Sequence, residues 1–292
     1  MTQKTLGWLA VLALLCFVGA GTYWWQQQST APVAPPPAST PVAVAPAPAA
    51  ASPSAPAAPA APAIRHPIEA DNAASGTSPQ ARPLPPPDGA DAYVAEALTE
   101  LLGRKAVLTF LSTGQFAAHV AVTVDNLDRP HAASRLWPVN PTPSRFVTSS
   151  VADGTQIGAD NARRYAPFVQ FIASVNTAQA VSLYRRLYPL FQRAYEELGY
   201  PGKYFNDRVV QVIDHLLATP EPGGPLKVRL TEVKGPIASA TPWLRYEYED
   251  AALESLSAGQ KMLLRMGPAN AGPLKAKLTE LRGLIARGEA KR

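Results

Sequence analysis

Three clusters of polar side chains have the types and spacing that suit ligand binding or catalysis. The first offers a hydroxyl, an amide, a carboxylate and a guanidinium to a polar ligand: Tyr204, Asn206, Asp207 and Arg208. The same residues are also typical of a helix start, in which Asn206 is the N-cap and Asp207 faces the positive end of the helix dipole. Both interpretations stay open, and Tyr204 and Arg208 are the residues predicted to contact a ligand or partner.

The second cluster consists of three arginines on a tyrosine-rich helix: Arg185, Arg186 and Arg193. Guanidinium groups bind carboxylates in a bidentate manner, so these residues are predicted to contact an anionic glycan or a carboxylate of a partner. The alternative is a solvated helix face on which they pair with Glu196 or Glu197. The tyrosines themselves are either core or a carbohydrate platform.

The third cluster is the pair Asp214 and His215, which could form half of a catalytic dyad. Adjacent residues of a helix point in different directions, so a hydrogen bond between these two side chains is disfavoured.

No motif of a catalytic or metal site is present in the sequence. The four histidines form no HxxxH or HExxH pattern, and the only cysteine is Cys16. GxSxG, SxxK and P-loop motifs are also missing, which excludes the motif-bearing serine hydrolases, the penicillin-binding type and the P-loop NTPases. We therefore predict no catalytic residue, no metal and no cofactor. A triad assembled from distant residues stays open.

Residues 6–25 form an uncharged, mostly apolar span. A helix of this length covers about 30 Å, the thickness of the hydrocarbon core of a bilayer. Lys4 precedes the span and no charge follows it until Arg65, so the positive-inside rule places residues 1–5 in the cytoplasm. We predict a single transmembrane helix in the bacterial inner membrane. The alternative is a signal peptide cleaved after Ala20, and either way the rest of the chain is periplasmic.

Residues 26–87 are rich in proline and alanine, and seventeen of the 31 prolines lie between positions 32 and 87. Such a composition cannot bury enough apolar surface to offset the entropy lost on ordering. We predict a disordered linker that holds the folded part away from the membrane. The net charge of +5 is spread over interleaved acidic and basic residues, so no nucleic-acid partner is expected.

Residues 88–287 carry apolar side chains at helical spacing and are predicted to fold as a mainly α, multi-helix domain with small β-hairpin additions, before a tail over 288–292. Asn176 is predicted to cap the tyrosine-rich helix, and Pro189 to kink or divide it. Residues 116–127 read as a helix, although their β-branched residues also permit a strand.

Two antiparallel strand pairs are predicted. The stretch 145–158 is typical of a hairpin with Asp153 and Gly154 at its turn. The stretches 226–233 and 243–250 alternate apolar and polar residues, so they are expected to pair with cationic and anionic side chains opposed.

Three stretches, "LYRRLYPLFQRAYEELGYP", "FNDRVVQVIDHLLATPEPGGPLKV" and "LSAGQKMLLRMGPANAGPLKAKLTELR", occur in this order. With them the sequence resembles an uncharacterised proteobacterial family of single-pass envelope proteins with a DUF3014-like C-terminal domain, over about residues 88–285. The resemblance implies a membrane helix, a Pro/Ala-rich spacer and a periplasmic domain. It implies no activity, ligand or catalytic residue.

These features favour a membrane-tethered periplasmic module that contacts an envelope protein or a cell-wall component. The alternative is a periplasmic enzyme with an unrecognised site. A deep pocket with two carboxylates, or with tyrosine and arginine pairs of shifted pKa, would favour the enzyme. A closed core with one exposed apolar patch would favour the module.

Overall fold

The computed structural model describes residues 63–68, 89–231 and 245–286, all within one compact unit over Pro59–Arg292. The predicted membrane helix over 6–25, the tail over 288–292 and all of the predicted linker except 63–68 lie outside the described residues. Among the residues described, no helix combines the length and the apolarity that crossing a bilayer requires.

Helices dominate the described residues, as the sequence predicts. Their bounds are α1 Ala90–Leu102, α2 Arg104–Phe110, α3 Phe116–Leu127, α4 Ala166–Ser174, α5 Thr177–Glu197, α6 Phe205–Leu217, α7 Ala251–Glu254, α8 Ala258–Met266 and α9 Pro268–Ile285. Two short 3₁₀ helices cover Ser134–Leu136 and Ala159–Arg164. The β-branched stretch at residues 116–127 is α3, because its apolar side chains pack on one face against other helices.

Helix α5 begins and continues largely as predicted. The side chain of Asn176 accepts a hydrogen bond from the backbone N–H of Gln179 at 3.0 Å, which confirms the cap. Pro189 lies inside the helix and does not divide it. Its ring is exposed, so the carbonyl of Arg185, which loses its usual helical donor, lies on the solvent side.

Four strands form two separate antiparallel pairs. Strands β1 (Thr148–Val151) and β2 (Gly154–Ile157) make the predicted hairpin, but its two-residue turn is Ala152–Asp153, and Gly154 already begins β2 with φ 138°. Strands β3 (Val228–Leu230) and β4 (Tyr246–Tyr248) form the second pair.

Opposite charges face each other across the second strand pair, as predicted. Arg229 and Glu247 are cross-strand partners, and their charged groups lie 3.7 Å apart. The buried face of this pair carries Val228 and Tyr248, which pack on Leu264 of α8.

The main core lies between α5 and α6, under α1 to α3. The tyrosine stripe of α5 belongs to it, since Tyr188 and Tyr195 are buried and Tyr184 packs against the same cluster. Burial raises the pKa of all three hydroxyls above the ordinary value, so they stay neutral. The stripe is therefore core and not an exposed carbohydrate platform.

A partly buried ion pair between Glu254 and Lys261 joins the second strand pair to α8, and it makes stability depend on pH. Glu254 accepts hydrogen bonds from Nζ of Lys261 and from the backbone N–H of Tyr248, both at 2.8 Å. Burial opposes the charge of Glu254, but these hydrogen bonds and the charge of Lys261 outweigh it and hold the pKa of the carboxyl below its ordinary value of 4.5. The folded protein therefore holds this proton less tightly than the unfolded chain does.

We expect Glu254→Gln to lower the free energy of unfolding by about 1–2 kcal/mol at pH 7, because the charge-assisted hydrogen bond is lost. The stabilising effect of Glu254 is present above about pH 4.5 and disappears as the pH falls through its lower folded pKa. Urea unfolding at a series of pH values checks this. The two proteins should converge in acid, and a constant difference down to pH 3 would contradict the assignment.

Candidate functional site at the amino end of helix α6

The start of α6 differs from the predicted helix cap. The helix begins at Phe205, whose side chain is fully buried against Phe191 and Tyr195, and the N-cap position falls on Tyr204. Asn206 therefore lies in the first turn, and the prediction that it caps the helix is wrong. The burial of Phe205 moves the helix start toward the N-terminus by two residues.

Asn206 is a buried polar link between distant parts of the chain. Its side chain is fully inaccessible to solvent. Its Nδ2 donates to the carbonyl of His66 at 2.8 Å and to that of Ile285, at the end of α9, at 3.2 Å. Its Oδ1 accepts from the hydroxyl of Tyr184 at 3.2 Å. The amide thus meets its main hydrogen-bonding requirements inside the protein.

The neighbours of Asn206 hold residues 63–68, which we call the docked segment. Asp207 accepts the backbone N–H groups of Arg65 at 3.0 Å and His66 at 2.7 Å, one on each carboxylate oxygen. The hydroxyl of Tyr204 accepts the N–H of Ile68 at 2.7 Å and donates to the carbonyl of the same residue at 3.2 Å. We call the surface formed by Tyr204, Asn206 and Asp207 the α6 groove.

Among the side chains of the docked segment, that of Ile68 makes the main contact with the folded domain. Ile68 packs against two core clusters, which include residues of α5, α6 and α9. Ile64 is 54% exposed, and Arg65 and Pro67 are exposed as well. The groove therefore holds the main chain of the segment by five hydrogen bonds and anchors it with one aliphatic side chain.

A cavity of about 850 Å³ adjoins the α6 groove. Its walls come from the docked segment, the end of α3, the end of α5, the loop before α6 and α6 itself. Tyr204 and Arg208, two of the predicted contact residues, line it together with Asp125, Tyr200 and Lys203. Nζ of Lys203 lies 4.9 Å from the centroid of the Tyr200 ring.

Arg208 links the cavity wall to the end of α3. Its guanidinium donates to both carboxylate oxygens of Asp128, at 2.7 and 2.6 Å, and to the backbone carbonyl of Asp125 at 2.8 Å. Burial opposes the charge of Arg208, but the hydrogen bonds and charges of Asp128 and Asp125 outweigh it and raise the pKa of the guanidinium above its ordinary value. Arg208 is therefore a fixed cation whose donors are mostly used within the protein.

Each carboxylate that lines the cavity already has a donor. Asp125 accepts from Arg129 at 2.6 Å and from the hydroxyl of Tyr200 at 3.1 Å. Asp207 holds the docked segment, and Asp214 pairs with Arg282 of α9. All three carboxylates are therefore engaged in hydrogen bonds within the protein.

The three arginines of α5 lie away from this cavity. Arg193 forms an exposed ion pair with Glu197 at 2.8 Å, which agrees with the solvated-face alternative. Arg185 donates to the carbonyl of Leu284 at 3.5 Å, and Nε of Arg186 is buried with no hydrogen-bond partner among the described residues. Their contact with an anionic ligand stays a prediction.

Asp214 and His215 do not form a dyad. Asp214 binds Arg282, whereas Nε2 of His215 lies 2.9 Å from Oγ of Ser257, the N-cap of α8. Within the residues that the structure describes, no group of three His, Cys, Asp or Glu side chains is placed to hold a metal ion.

The docked segment was missed by sequence reasoning, which assigned it to the linker. One signal was present: Ile64 and Ile68 are the only isoleucines between positions 31 and 87, and they flank an arginine and a histidine. A short stretch of isoleucine and charged residues within an alanine- and proline-rich segment indicates contact with a folded domain.

Comparison with known proteins places this site within a family. Residues 116–282 match the model of the family described as "Protein of unknown function (DUF3014)". No curated protein and no solved structure matches the chain. The matched part includes the α6 groove and excludes the docked segment. Because it spans more than half of the 292 residues, the chain belongs to the DUF3014 family.

Proposed function

We propose that this chain is an interaction module of the bacterial cell envelope. In this proposal residues 6–25 anchor it in the inner membrane as a single-pass helix, with the N-terminus in the cytoplasm. Residues 26–62 act as the spacer before the docked segment, and the helical domain contacts an envelope protein in the periplasm. A tether of this kind raises the local concentration of a domain near its targets. The uncharged N-terminal span and the resemblance to single-pass proteobacterial proteins support this arrangement.

The observation that carries the proposal is the capture of a peptide main chain by the α6 groove. Asp207, Asn206 and Tyr204 satisfy donors and acceptors of the docked segment that belong to any polypeptide. Many interaction domains recognise peptides through main-chain hydrogen bonds plus one or two side-chain pockets. This chemistry favours a protein partner over a cell-wall component, which is the other partner suggested by the sequence.

The second candidate function is a periplasmic enzyme, including a cell-wall-directed one. The carboxylates and tyrosines of the cavity favour it, since Asp125, Asp207 and Tyr200 share one large pocket. General acid–base catalysis needs a group that can exchange a proton with the substrate. The hydrogen bonds that already occupy these carboxylates make binding the better supported function.

Affinity capture with the full chain tests the proposed function. The tagged chain carries His66→Pro, which removes a backbone N–H of the docked segment, so that a weaker hold on this segment cannot offset a weaker hold on the partner. It is recovered from solubilised envelopes, with and without muramidase treatment, beside the same chain with Asp207→Asn and a matched control with Arg163→Ala. Arg163 forms an exposed ion pair with Asp160 and lies away from the groove. We expect a protein partner that survives muramidase and is reduced at least about tenfold by Asp207→Asn only, since charge-assisted hydrogen bonds contribute about 1.5–3 kcal/mol.

Two results would overturn the proposal. Loss of all partners after muramidase would indicate that the ligand is a wall glycan. Recovery of no partner, or equal recovery by Asp207→Asn, would remove the α6 groove as the contact surface and favour the enzyme.

A further inference from the structure

The α6 groove has few requirements for the sequence that it holds. Its five hydrogen bonds end on backbone atoms of Arg65, His66 and Ile68. Pro67 has no N–H, and none of these five hydrogen bonds ends on it, so proline is accepted at this one position. The adjacent N–H groups of residues 65 and 66 converge on one carboxylate, as in the anion-binding nests formed by bent backbone. The pattern fits a bent peptide in which a proline precedes an aliphatic residue.

The docked segment and the α6 groove belong to the same chain, which favours their contact over the binding of a free peptide. Residues 69–89 connect it to the start of α1 at Ala90. A short connection of this kind gives an effective concentration of about 1 mM, so even a weak contact stays formed within one chain. A free peptide must compete with this local concentration.

We propose, resting on the proposed function, that the α6 groove is a binding site for a short peptide in which proline precedes an aliphatic residue. Residues 63–68 occupy this site as an intramolecular competitor, and a partner protein that carries such a peptide displaces them.

Competition gives a measurable prediction. If a free peptide binds the empty groove with a Kd of about 0.1 mM, an effective concentration of about 1 mM for the docked segment weakens its apparent affinity about tenfold. A variant in which the docked segment leaves the groove should therefore bind the free peptide about tenfold more tightly than the wild-type chain does.

The test uses a fluorescein-labelled synthetic peptide with the sequence of residues 61–70, APAIRHPIEA, and fluorescence polarisation with the full chain in detergent. His66→Pro in the chain removes the N–H that Asp207 accepts and leaves every groove residue unchanged. We expect the peptide to bind His66→Pro about tenfold more tightly than the wild-type chain. The double variant His66→Pro with Asp207→Asn should bind at least about tenfold more weakly than His66→Pro alone.

A second peptide controls for specificity. The same sequence with Ile68→Asp keeps its backbone groups but cannot bury its side chain against the core clusters, and it should not bind. Arg163→Ala combined with His66→Pro should bind like His66→Pro. Circular dichroism of each variant verifies that the helices are retained.

Three outcomes would overturn the inference. They are no binding of the peptide by His66→Pro at millimolar concentration, equal affinity of the wild-type and His66→Pro chains, and equal binding of the Ile68→Asp peptide. The results also distinguish a failure of this inference from a failure of the proposed function. If the peptide does not bind but envelope capture still depends on Asp207, the module stands with another ligand. If the peptide binds as expected and no envelope partner is captured, the site stands without the envelope function.

Discussion

Replacing Arg208 by alanine is expected to lower the free energy of unfolding by about 3 kcal/mol, because it leaves a mostly buried carboxylate without its cation. The side chains of Arg208 and Asp128 are only 14% and 20% exposed, and both carboxylate oxygens of Asp128 accept from this guanidinium. The variant also loses the hydrogen bond to the backbone carbonyl of Asp125, which joins α6 to the end of α3. Urea unfolding at pH 7, followed by circular dichroism, measures the effect.

Two comparison variants separate burial from charge. Arg193→Ala removes an arginine whose ion pair with Glu197 is more than half exposed, and it should change stability by less than about 0.5 kcal/mol. Arg208→Lys keeps the charge but cannot form the two-pronged contact with Asp128, so it should recover less than half of the loss. An Arg208→Ala variant as stable as Arg193→Ala would show that this buried link contributes nothing net.

Replacing Gly259 by alanine is expected to destabilise the fold by about 2 kcal/mol, although alanine is the better helix former. A Cβ at this position of α8 would lie 2.5 Å from Cδ2 of Leu216 and 2.9 Å from the backbone carbonyl oxygen of Leu127. The leucine can change rotamer, but the carbonyl at the end of α3 cannot move away without shifting the helix. Overpacking of this kind costs about 1–3 kcal/mol or more and outweighs the gain in helix propensity.

Gly283 provides the matched control for this prediction. It lies in α9, is exposed, and has no heavy atom within 4 Å of the position where a Cβ would be. Gly283→Ala should therefore stabilise the protein by up to about 1 kcal/mol through helix propensity alone. Thermal unfolding of both variants should move the midpoint in opposite directions. A gain in both would mean that α3 and α8 can separate freely.

Elements with a local pattern were predictable from the sequence. The stripe of α5 and the alternation in β3 and β4 depend on residues a few positions apart, so periodicity reveals which side is buried. The contact between Arg229 and Glu247 followed directly from that alternation. Tyr204 and Arg208 line the cavity, and their contact with a ligand or partner stays a prediction.

The role of Asn206 was not predictable, because its partners are remote. A polar residue ahead of an apolar helical stripe is typical of a cap, but the amide binds carbonyls 140 and 79 positions away. Nothing local distinguishes a helix cap from a buried link. The docking of residues 63–68 was not predicted for the same reason. The composition of a segment describes its average polarity, and it does not show that a few of its residues contact a distant part of the fold.

The dependence of the groove on backbone atoms has a consequence for evolutionary divergence. Mutations that change the side chains of Ile64 or Arg65 leave all five hydrogen bonds in place. Selection against substitutions at these two positions should therefore be weak. Changes at Tyr204, Asn206 or Asp207 each remove bonds that no other residue replaces. We therefore expect the region before the helical domain to drift quickly among relatives, while the three residues that grip it are inherited together.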